Sequence, residues 1–267
     1  VALGRMGKRG MDALMAHTGS EDRGVRLAVI ERFSWGYYED RVTDCLLAAL
    51  DDAYEAVRCT AASALGRRMG PKVLDSLLSL LHDPDISVVK AAIGSLGTPK
   101  AARAIAPLLQ IFRDRSHPLR RDAVKALARI GGRAWDLLAV ELRDGDPVAC
   151  RLLVDAIVYM EDEQACRLVI RALEDPDRQV RLRAVYALEW CRIPEAVPPL
   201  IAALRDEDPD VAANAASVLS VIHSREALPE LRWVAEHDTR KTGGGGTVAA
   251  RARRAIRVIE GTSNGDA

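Results

Sequence analysis

Aromatic side chains are scarce in this sequence, since Phe, Tyr and Trp make up 4% of 267 residues although 49% are hydrophobic. The apolar content therefore comes mainly from Ala, Leu, Val and Ile, and small and γ-branched residues at this density favour close-packed helices over sheets. A net charge is also missing, because 38 basic residues balance 38 acidic ones. No overall electric field then draws the chain to nucleic acid or to an anionic membrane.

Membrane spans, secretion signals and paired cysteine motifs are absent as well. No apolar run approaches the roughly 20 residues that cross a bilayer, and no signal peptide is recognisable. Without any Cys-x-x-Cys motif, the odd number of cysteines predicts buried free thiols in a reducing compartment, and hence a cytoplasmic protein without a membrane partner. These cysteines are Cys45, Cys59, Cys150, Cys166 and Cys191.

One pattern recurs along the chain. An apolar anchor is followed by a small or apolar residue four positions later and by a large apolar residue eight positions later. These three positions fall within about 80° on a helix, so each block predicts one amphipathic helix. The anchors lie 30 to 32 residues apart, except for a last interval of 37. They are Val25, Val57, Val88, Leu119, Ala149, Val180, Val211 and Val248.

A second apolar stretch precedes each block, as in 73–81 and 166–173, and a polar break separates the two. In such a break an aspartate can cap the following helix and a proline fits its first turn. Neither helix can bury its apolar stripe alone, so the helix-turn-helix units must stack. The pattern predicts an all-α fold, an α-solenoid of about eight repeats over residues 1–260. The clearest breaks are Asp83-Pro84-Asp85, Asp175-Pro176-Asp177 and Asp208-Pro209-Asp210.

These turns, together with the arginines that follow several anchors, resemble the short bacterial HEAT-like repeats of the PBS-lyase type over about residues 11–260. The resemblance implies a right-handed superhelix and a buried polar ladder, in which turn aspartates and post-anchor arginines join successive repeats. Val89, Ala212 and Ala249 depart from this pattern at the arginine position. The residues that the resemblance assigns to the ladder are Asp83, Asp175, Asp208, Arg26, Arg58, Arg120 and Arg181.

Both ends and one insertion differ from the regular repeat. Residues 1–4 match the end of a second helix, so the chain is predicted to start within a repeat. Residues 239–247 form an insertion in the last repeat; its four glycines suggest a flexible segment, or alternatively a loop that cradles an anion. Residues 261–267 are predicted to be a disordered tail.

Motifs for catalysis and metal binding are missing too. No two histidines have metal-ligand spacing, and no Gly-x-Ser-x-Gly elbow or Walker sequence occurs. HEAT-like deoxyhypusine hydroxylases bind iron through His-Glu dipeptides, and this chain contains none. The sequence therefore predicts a protein without enzymatic activity, cofactor or metal.

The predicted binding surface comes from the second helices, which line the concave side of HEAT-like solenoids. Positions 2, 6 and 10 after each anchor point away from the core, and exposed Arg, Tyr and Trp are favoured at binding hot spots. Alternatively, the aromatic side chains cover inter-repeat loops and the cations pair with Asp122 or Asp155. The predicted site consists of Lys90, Arg121, Lys125, Arg151, Tyr159, Tyr186 and Trp190.

Three functions fit such a surface. The leading hypothesis is a non-enzymatic scaffold that binds an acidic or extended protein partner along the concave face. The second is nucleic-acid binding, in resemblance to HEAT-like DNA glycosylases, although the net charge of zero is unfavourable. The third, a bilin-lyase-type subunit, follows from family resemblance alone.

Overall fold

Helices form the regular structure of the described residues, apart from one bridge between Lys241 and Thr247. The computed structural model describes residues 7–34, 40–144, 147–157, 163–191 and 193–261. Within these ranges the helices occur in eight successive pairs, and the anchor of each repeat lies in or directly before the second helix of a pair. The predicted all-α repeat fold is confirmed.

The chain divides into two compact units, Val1–Ala134 and Trp135–Ala267. In the first unit the second helices pack in order, α2 on α4, α4 on α6 and α6 on α8. The pairs are α1 (Gly7–Met15) with α2 (Arg23–Phe33), α3 (Asp40–Ala48) with α4 (Glu55–Leu65), α5 (Pro71–Ser79) with α6 (Ile86–Leu96), and α7 (Ile105–Arg113) with α8 (Arg120–Ile130).

The second unit repeats this arrangement, with α10 packed on α12, α12 on α14 and α14 on α16. Its first helix begins just before the unit boundary. The pairs are α9 (Arg133–Asp144) with α10 (Pro147–Ile157), α11 (Glu163–Arg171) with α12 (Arg178–Cys191), α13 (Val197–Ala203) with α14 (Pro209–Val221), and α15 (Leu228–His237) with α16 (Val248–Glu260). No helix in the described residues has the length and apolar character to cross a membrane.

Turn aspartates begin the second helices, as predicted. The side chain of Asp85 accepts a hydrogen bond from the Ser87 amide at 2.8 Å, and that of Asp177 accepts one from the Gln179 amide at 2.7 Å. Each such cap stabilises its helix by about 1 kcal/mol. The caps therefore fix where these second helices start, and with it the direction in which their later side chains point.

Small residues let neighbouring second helices approach closely. At the end of α4, a Cβ added to Gly66 would lie 2.8 Å from the side chain of Ser95 on α6. The hydroxyl of Ser95 donates across the same contact to the carbonyl oxygen of Ala62 at 2.9 Å. Close packing of this kind leaves the outward faces of α4 and α6 side by side.

Arginines that follow the anchors join successive repeats. Arg58 donates Nε and Nη2 to the two carboxylate oxygens of Asp83 in the next turn, both at 2.9 Å. Its Nη1 donates to the carbonyl oxygen of Asp52 in its own turn at 2.8 Å. Arg26 binds the Asp52 carboxylate in the same forked manner, at 2.7 and 2.9 Å. The implied ladder is thus confirmed at Arg26 and Arg58.

The assignment of Asp208 to the ladder is wrong, because the partner of Arg181 is Asp206. Arg181 is buried and donates to both carboxylate oxygens of Asp206, at 2.8 and 3.0 Å. Asp208 caps α14 instead and accepts a hydrogen bond from Arg178 at 2.7 Å. The ladder aspartate lies five residues before the anchor, and in this turn the Asp-Pro-Asp sequence comes two residues later than elsewhere.

The ladder also varies at Asp175, and Arg120 forms a contact within its own repeat. The Asp175 carboxylate accepts from the Asp177 amide at 2.8 Å, and Cys150 stands where the repeat would place its arginine. Arg120 is buried and donates Nε to the carbonyl oxygen of Phe112 at 2.7 Å. Both residues have structural contacts, and that of Asp175 is not the forked pair that the resemblance implied. For Arg120 the corresponding carboxylate would stand at position 144, whose side chain is outside those that the structure describes.

The insertion supplies a ladder arginine that the last repeat interface otherwise lacks at Ala212. Arg240 donates Nη1 to the carbonyl oxygens of Asp206 and Glu207, at 2.7 and 2.9 Å. Its Nε and Nη2 donate to the two carboxylate oxygens of Asp238, at 3.0 and 2.6 Å. These are the two kinds of contact that the regular ladder arginines make, so Arg240 takes over their function.

Hydrogen bonds also organise the glycines of the insertion. The Thr242 amide donates to the carbonyl oxygen of Gly246 at 2.9 Å, and the Gly243 amide donates to the Asp210 carboxylate at 2.8 Å. The segment therefore forms a short hairpin on the start of α14 instead of an unstructured linker. A carboxylate of the chain itself takes the Gly243 amide that a bound anion would use.

The prediction of five free thiols is wrong for two of them. Cys166 on α11 and Cys191 at the end of α12 form a disulfide, with their Cα atoms 5.7 Å apart. Antiparallel packing of the two helices brings together residues that are 25 positions apart in sequence, a separation that a search for Cys-x-x-Cys misses. Cys45, Cys59 and Cys150 are free.

Candidate functional site

The outward faces of the second helices carry the candidate site, and positions 6 and 10 after the anchor are its most exposed part. Position 2 was also predicted to face outward. It is exposed at Lys90 and Arg121, but half-buried at Arg151 and Leu182 and buried at Ala213, so it borders the contact between neighbouring helices. Positions 6 and 10 are exposed at Glu31, Ser63, Arg67, Gly94, Lys125, Arg129, Tyr186, Trp190, Val221, Arg254 and Val258.

On α6 and α8 of the first unit this face is cationic. Lys90 on α6 and Lys125 on α8 are exposed, and neither forms an ion pair with any described residue. Arg121 and Arg129, both exposed on α8, add two more positive charges. Since α6 packs directly on α8, four cations share one stretch of surface. The structure therefore brings together three of the predicted site residues, Lys90, Arg121 and Lys125.

In the second unit the outward face of α12 is aromatic. Tyr186 and Trp190 lie one turn apart on α12, with relative exposures of 45% and 67%. The interpretation of Trp190 as a cover over the core edge is therefore wrong. On the neighbouring α10, Arg151 is half-buried, and Asp155 pairs with Arg183 of α12 at 2.8 Å.

Tyr159, the remaining predicted site residue, lies outside the described residues. Asp155 was considered as a partner for the cations of the site, and its observed partner Arg183 is not one of them. Arg151 forms no ion pair within the part of the chain that the structure describes. The aromatic pair and Arg151 thus lie on the adjacent helices α12 and α10.

Two further residues of this face escaped the sequence prediction. Val221 on α14 and Val258 on α16 are 39% and 42% exposed. Both lie ten residues after an anchor, as Trp190 does. Extending the position 10 rule to the last two repeats would have identified them.

Trp233 on α15 is an exposed aromatic residue of a different kind. The Arg205 guanidinium carbon lies 4.6 Å from its ring centroid, and the His237 ring stacks on it at 4.9 Å. Arg205 is itself held by the carboxylate of Glu230. Contacts within the chain thus cover part of Trp233, which is 44% exposed, whereas the described residues place no cation and no aromatic ring over Trp190.

The thiols near this surface are held in their protonated form. Cys59 occupies position 2 of α4, where burial, and then the charge of Asp85, raise the pKa of its thiol. Burial likewise raises the pKa of the Cys45 thiol on α3. A thiolate is the nucleophilic form of cysteine, so neither thiol is activated for catalysis.

Solved structures share the fold with this chain at low sequence identity. A mutant of Kap121p is 14% identical, with 95% of this chain and 33% of Kap121p covered, at a TM-score of 0.57. Human deoxyhypusine hydroxylase is 18% identical, with coverage of 97% and 98% and a TM-score of 0.42. The complex of CpcE and CpcF of phycocyanin lyase from Nostoc sp. PCC7120 is 23% identical, with coverage of 93% and 94% and a TM-score of 0.36.

Sequence comparison places the repeats in a family. No curated protein matches the chain. The family model for HEAT repeats matches residues 43–128, 135–205 and 167–243. These segments cover most of the chain and coincide with its helix pairs, and the chain therefore belongs to the HEAT-repeat family.

Proposed function

We propose that this chain is a non-enzymatic scaffold that binds a protein partner through the outward faces of its second helices. The observation that carries the proposal is the exposure of Trp190, which is 67% accessible without a covering contact from a described residue. Covering an aromatic side chain of this size contributes on the order of 2 kcal/mol to association. Trp, Tyr and Arg are also the residues that most often dominate binding energies.

The charge of the first unit indicates the chemistry of the partner. Lys90 and Lys125 are exposed without ion pairs among the described residues, so their charges act on an approaching molecule. Complementary charge accelerates association and excludes partners of like charge. The partner is therefore expected to be acidic, or to be an extended segment with acidic side chains.

In this function the protein catalyses no reaction and binds no cofactor. The buried guanidinium of Arg181 binds Asp206 of the next repeat, and that of Arg120 binds the Phe112 carbonyl within its own repeat, so both have structural contacts. Raised pKa values keep the thiols of Cys45 and Cys59 protonated. These groups have structural functions in the proposal.

Site-specific photocrosslinking tests the proposal. A benzophenone amino acid is placed at position 125 or at position 186, and at exposed position 72 on α5 as a control. The expected result is one protein, in the native lysate, that crosslinks from 125 and 186 and not from 72. Its recovery should fall at least tenfold in a Lys90→Glu, Lys125→Glu variant and stay unchanged in the charge-matched Lys72→Glu, Lys100→Glu variant. Equal recovery of the crosslinked protein from both variants would show that Lys90 and Lys125 are not part of the binding surface.

Nucleic-acid binding is the second candidate, favoured by the cluster of Lys90, Arg121, Lys125 and Arg129 on adjacent helices. A net charge of zero opposes it. Binding to phosphates weakens steeply with salt, through the release of counterions. Fluorescence anisotropy with a labelled duplex and a labelled single strand separates the candidates: tight binding at 50 mM salt that is lost at 200 mM would replace the protein scaffold.

We also propose that the protein is cytoplasmic, on the basis of the three free thiols of Cys45, Cys59 and Cys150. The disulfide between Cys166 and Cys191 favours an oxidising compartment instead. Trapping of thiols in intact cells, followed by mass spectrometry, decides between the two. Five alkylated cysteines would support the cytoplasm, and protected Cys166 and Cys191 would contradict it.

A further inference from the structure

Three exposed apolar side chains mark equivalent places on the last three second helices. Trp190 of α12, Val221 of α14 and Val258 of α16 each lie ten residues after an anchor, and they are 67%, 39% and 42% exposed. Because α12 packs on α14 and α14 on α16, the three form one line across the second unit. We call Trp190, Val221 and Val258 the apolar row.

The spacing of the apolar row limits what can cover it. Packed helix axes lie about 8–10 Å apart, so neighbouring members of the row are separated by about one such step. An extended peptide advances about 3.3 Å per residue and covers such a step in three residues. Apolar side chains at every third residue of an extended segment would therefore meet Trp190, Val221 and Val258 in turn.

The width of the row favours an extended chain over a helix. On α14, polar Asn214 and Ser217 lie beside Val221 on the same outward face. A helix with its side chains is about 10–12 Å wide, and it would cover these polar groups together with the row. A single extended segment covers the apolar side chains and leaves Asn214 and Ser217 at its edge.

The charge beside the row favours an acidic segment. Arg251 and Arg254 are exposed on α16, three and six residues after the anchor, and neither forms an ion pair with another described residue. On α12, Arg183 adds a guanidinium whose charge is compensated by Asp155. Acids near the row are half-buried Glu189, next to Trp190, and exposed Glu260, whose carboxylate pairs with Arg232. These arginines beside the apolar row complement a peptide whose carboxylates lie between its apolar side chains.

We infer that the apolar row binds one extended, acidic peptide segment of the partner, with apolar side chains three residues apart. This inference rests on the proposed scaffold function and specifies the chemistry of the partner. Trp190 provides the main anchoring surface, Val221 and Val258 accept the next two apolar side chains, and Arg254 binds a carboxylate between them.

Peptide selection on the intact protein tests the inference. Random twelve-residue peptides displayed on phage are selected on the wild-type chain, and peptides that also bind the Trp190→Ala variant are removed. The expected survivors carry a net negative charge and apolar residues at i and i+3. As synthetic peptides they should bind at least tenfold more weakly to Trp190→Ala and to Val221→Asp, and several-fold more weakly to Arg254→Glu.

The matched control is Trp233→Ala, which removes an exposed tryptophan from a first helix and should change the affinity less than twofold. Circular dichroism confirms that each variant is folded. The inference would be overturned if no peptide were enriched, or if the selected peptides bound Trp190→Ala as tightly as the wild type. Selection of peptides with apolar residues seven apart would also overturn it, because that spacing indicates a helix. Self-association that Trp190→Ala abolishes, seen by sedimentation, would assign the row to a second copy of this chain.

These outcomes are separable from the test of the scaffold itself. Crosslinking of one protein from positions 125 and 186, without peptide selection on the row, would retain the scaffold and reject the acidic segment. If peptides were selected on the apolar row but no protein crosslinked from positions 125 and 186, the preference of the row for an extended acidic segment would be retained and the scaffold function rejected.

Discussion

Arg240 donates hydrogen bonds from Nε and Nη2 to the carboxylate of Asp238, two residues before it, and Nη2 lies 2.6 Å from Oδ2. Its remaining nitrogen reaches back to the previous turn, at the carbonyl oxygens of Asp206 and Glu207. The pair thereby connects the last two repeats across a site where α14 carries Ala212 in place of an arginine. A segment that interrupts the sequence repeat thus restores its contacts.

Replacing Arg240 with Ala should lower the free energy of unfolding by about 1–3 kcal/mol, since it removes a forked ion pair and leaves two carbonyl oxygens of the turn without their donor. Urea unfolding followed by circular dichroism measures the change. The matched control is Arg232→Ala, whose exposed ion pair with Glu260 should contribute less than about 1 kcal/mol. Equal losses in the two variants would show that Arg240 is an ordinary surface residue.

Acid should weaken the ladder. Hydrogen bonds from Arg26, Arg58 and Arg240 are the largest of the causes that lower the pKa values of Asp52, Asp83 and Asp238 in the folded protein. Groups with a depressed folded pKa stabilise the fold above their unfolded pKa, about 3.9 for aspartate. That contribution is lost as the pH falls through the lower, folded value. Stability should therefore be nearly constant at pH 5–7 and decrease below about pH 4.

The Asp83→Asn variant isolates the contribution of the Arg58–Asp83 pair to this pH dependence. It should be less stable than wild type at pH 6, because Arg58 loses its charged partner, and its stability should change less between pH 5 and pH 2. Free energies of unfolding from urea titrations at each pH give both slopes. Parallel slopes for the two proteins would show that Asp83 does not contribute to acid unfolding.

Reduction of the disulfide should loosen the second unit. Closing a loop of 25 residues between Cys166 and Cys191 restricts the unfolded chain, and such a crosslink stabilises by about 3 kcal/mol or less. Cys191→Ser should therefore unfold at lower urea than the oxidised wild type. A reducing agent should lower the urea midpoint of the wild type to that of the variant and leave the midpoint of the variant unchanged. A Cys45→Ser variant controls for loss of a free thiol.

The turn chemistry of the ladder could be predicted only in part from the sequence. Asp83 and Asp208 both begin an Asp-Pro-Asp turn, yet only Asp83 lies five residues before its anchor and forms the forked pair with the post-anchor arginine of the preceding repeat. The distance to the anchor, and not the tripeptide, decides which carboxylate binds the ladder arginine. The origin of Arg240 in an insertion could not be predicted, because its contact depends on the hairpin that the glycines form.

The candidate site was predictable where helix periodicity alone decides exposure. Tyr186 and Trp190 are exposed as their positions indicate, whereas Arg151 is half-buried. Position 2 borders the neighbouring helix, so its exposure depends on the packing between repeats, which periodicity within one helix does not specify. The disulfide was missed for a related reason, since it depends on the contact between α11 and α12.

Trp190, at 67% exposure, should be the tryptophan most accessible to solvent among the described ones, because Trp135 is 3% exposed and Trp233, at 44%, is partly covered by Arg205 and His237. Replacing Trp190 with Phe should therefore remove a large part of the emission that acrylamide quenches, whereas Trp233→Phe should remove less. Stern–Volmer plots for the wild type and both variants measure these fractions. If Trp190→Phe left the quenched fraction unchanged, this side chain would be covered in solution, and the surface on which the scaffold function rests would be closed to a partner.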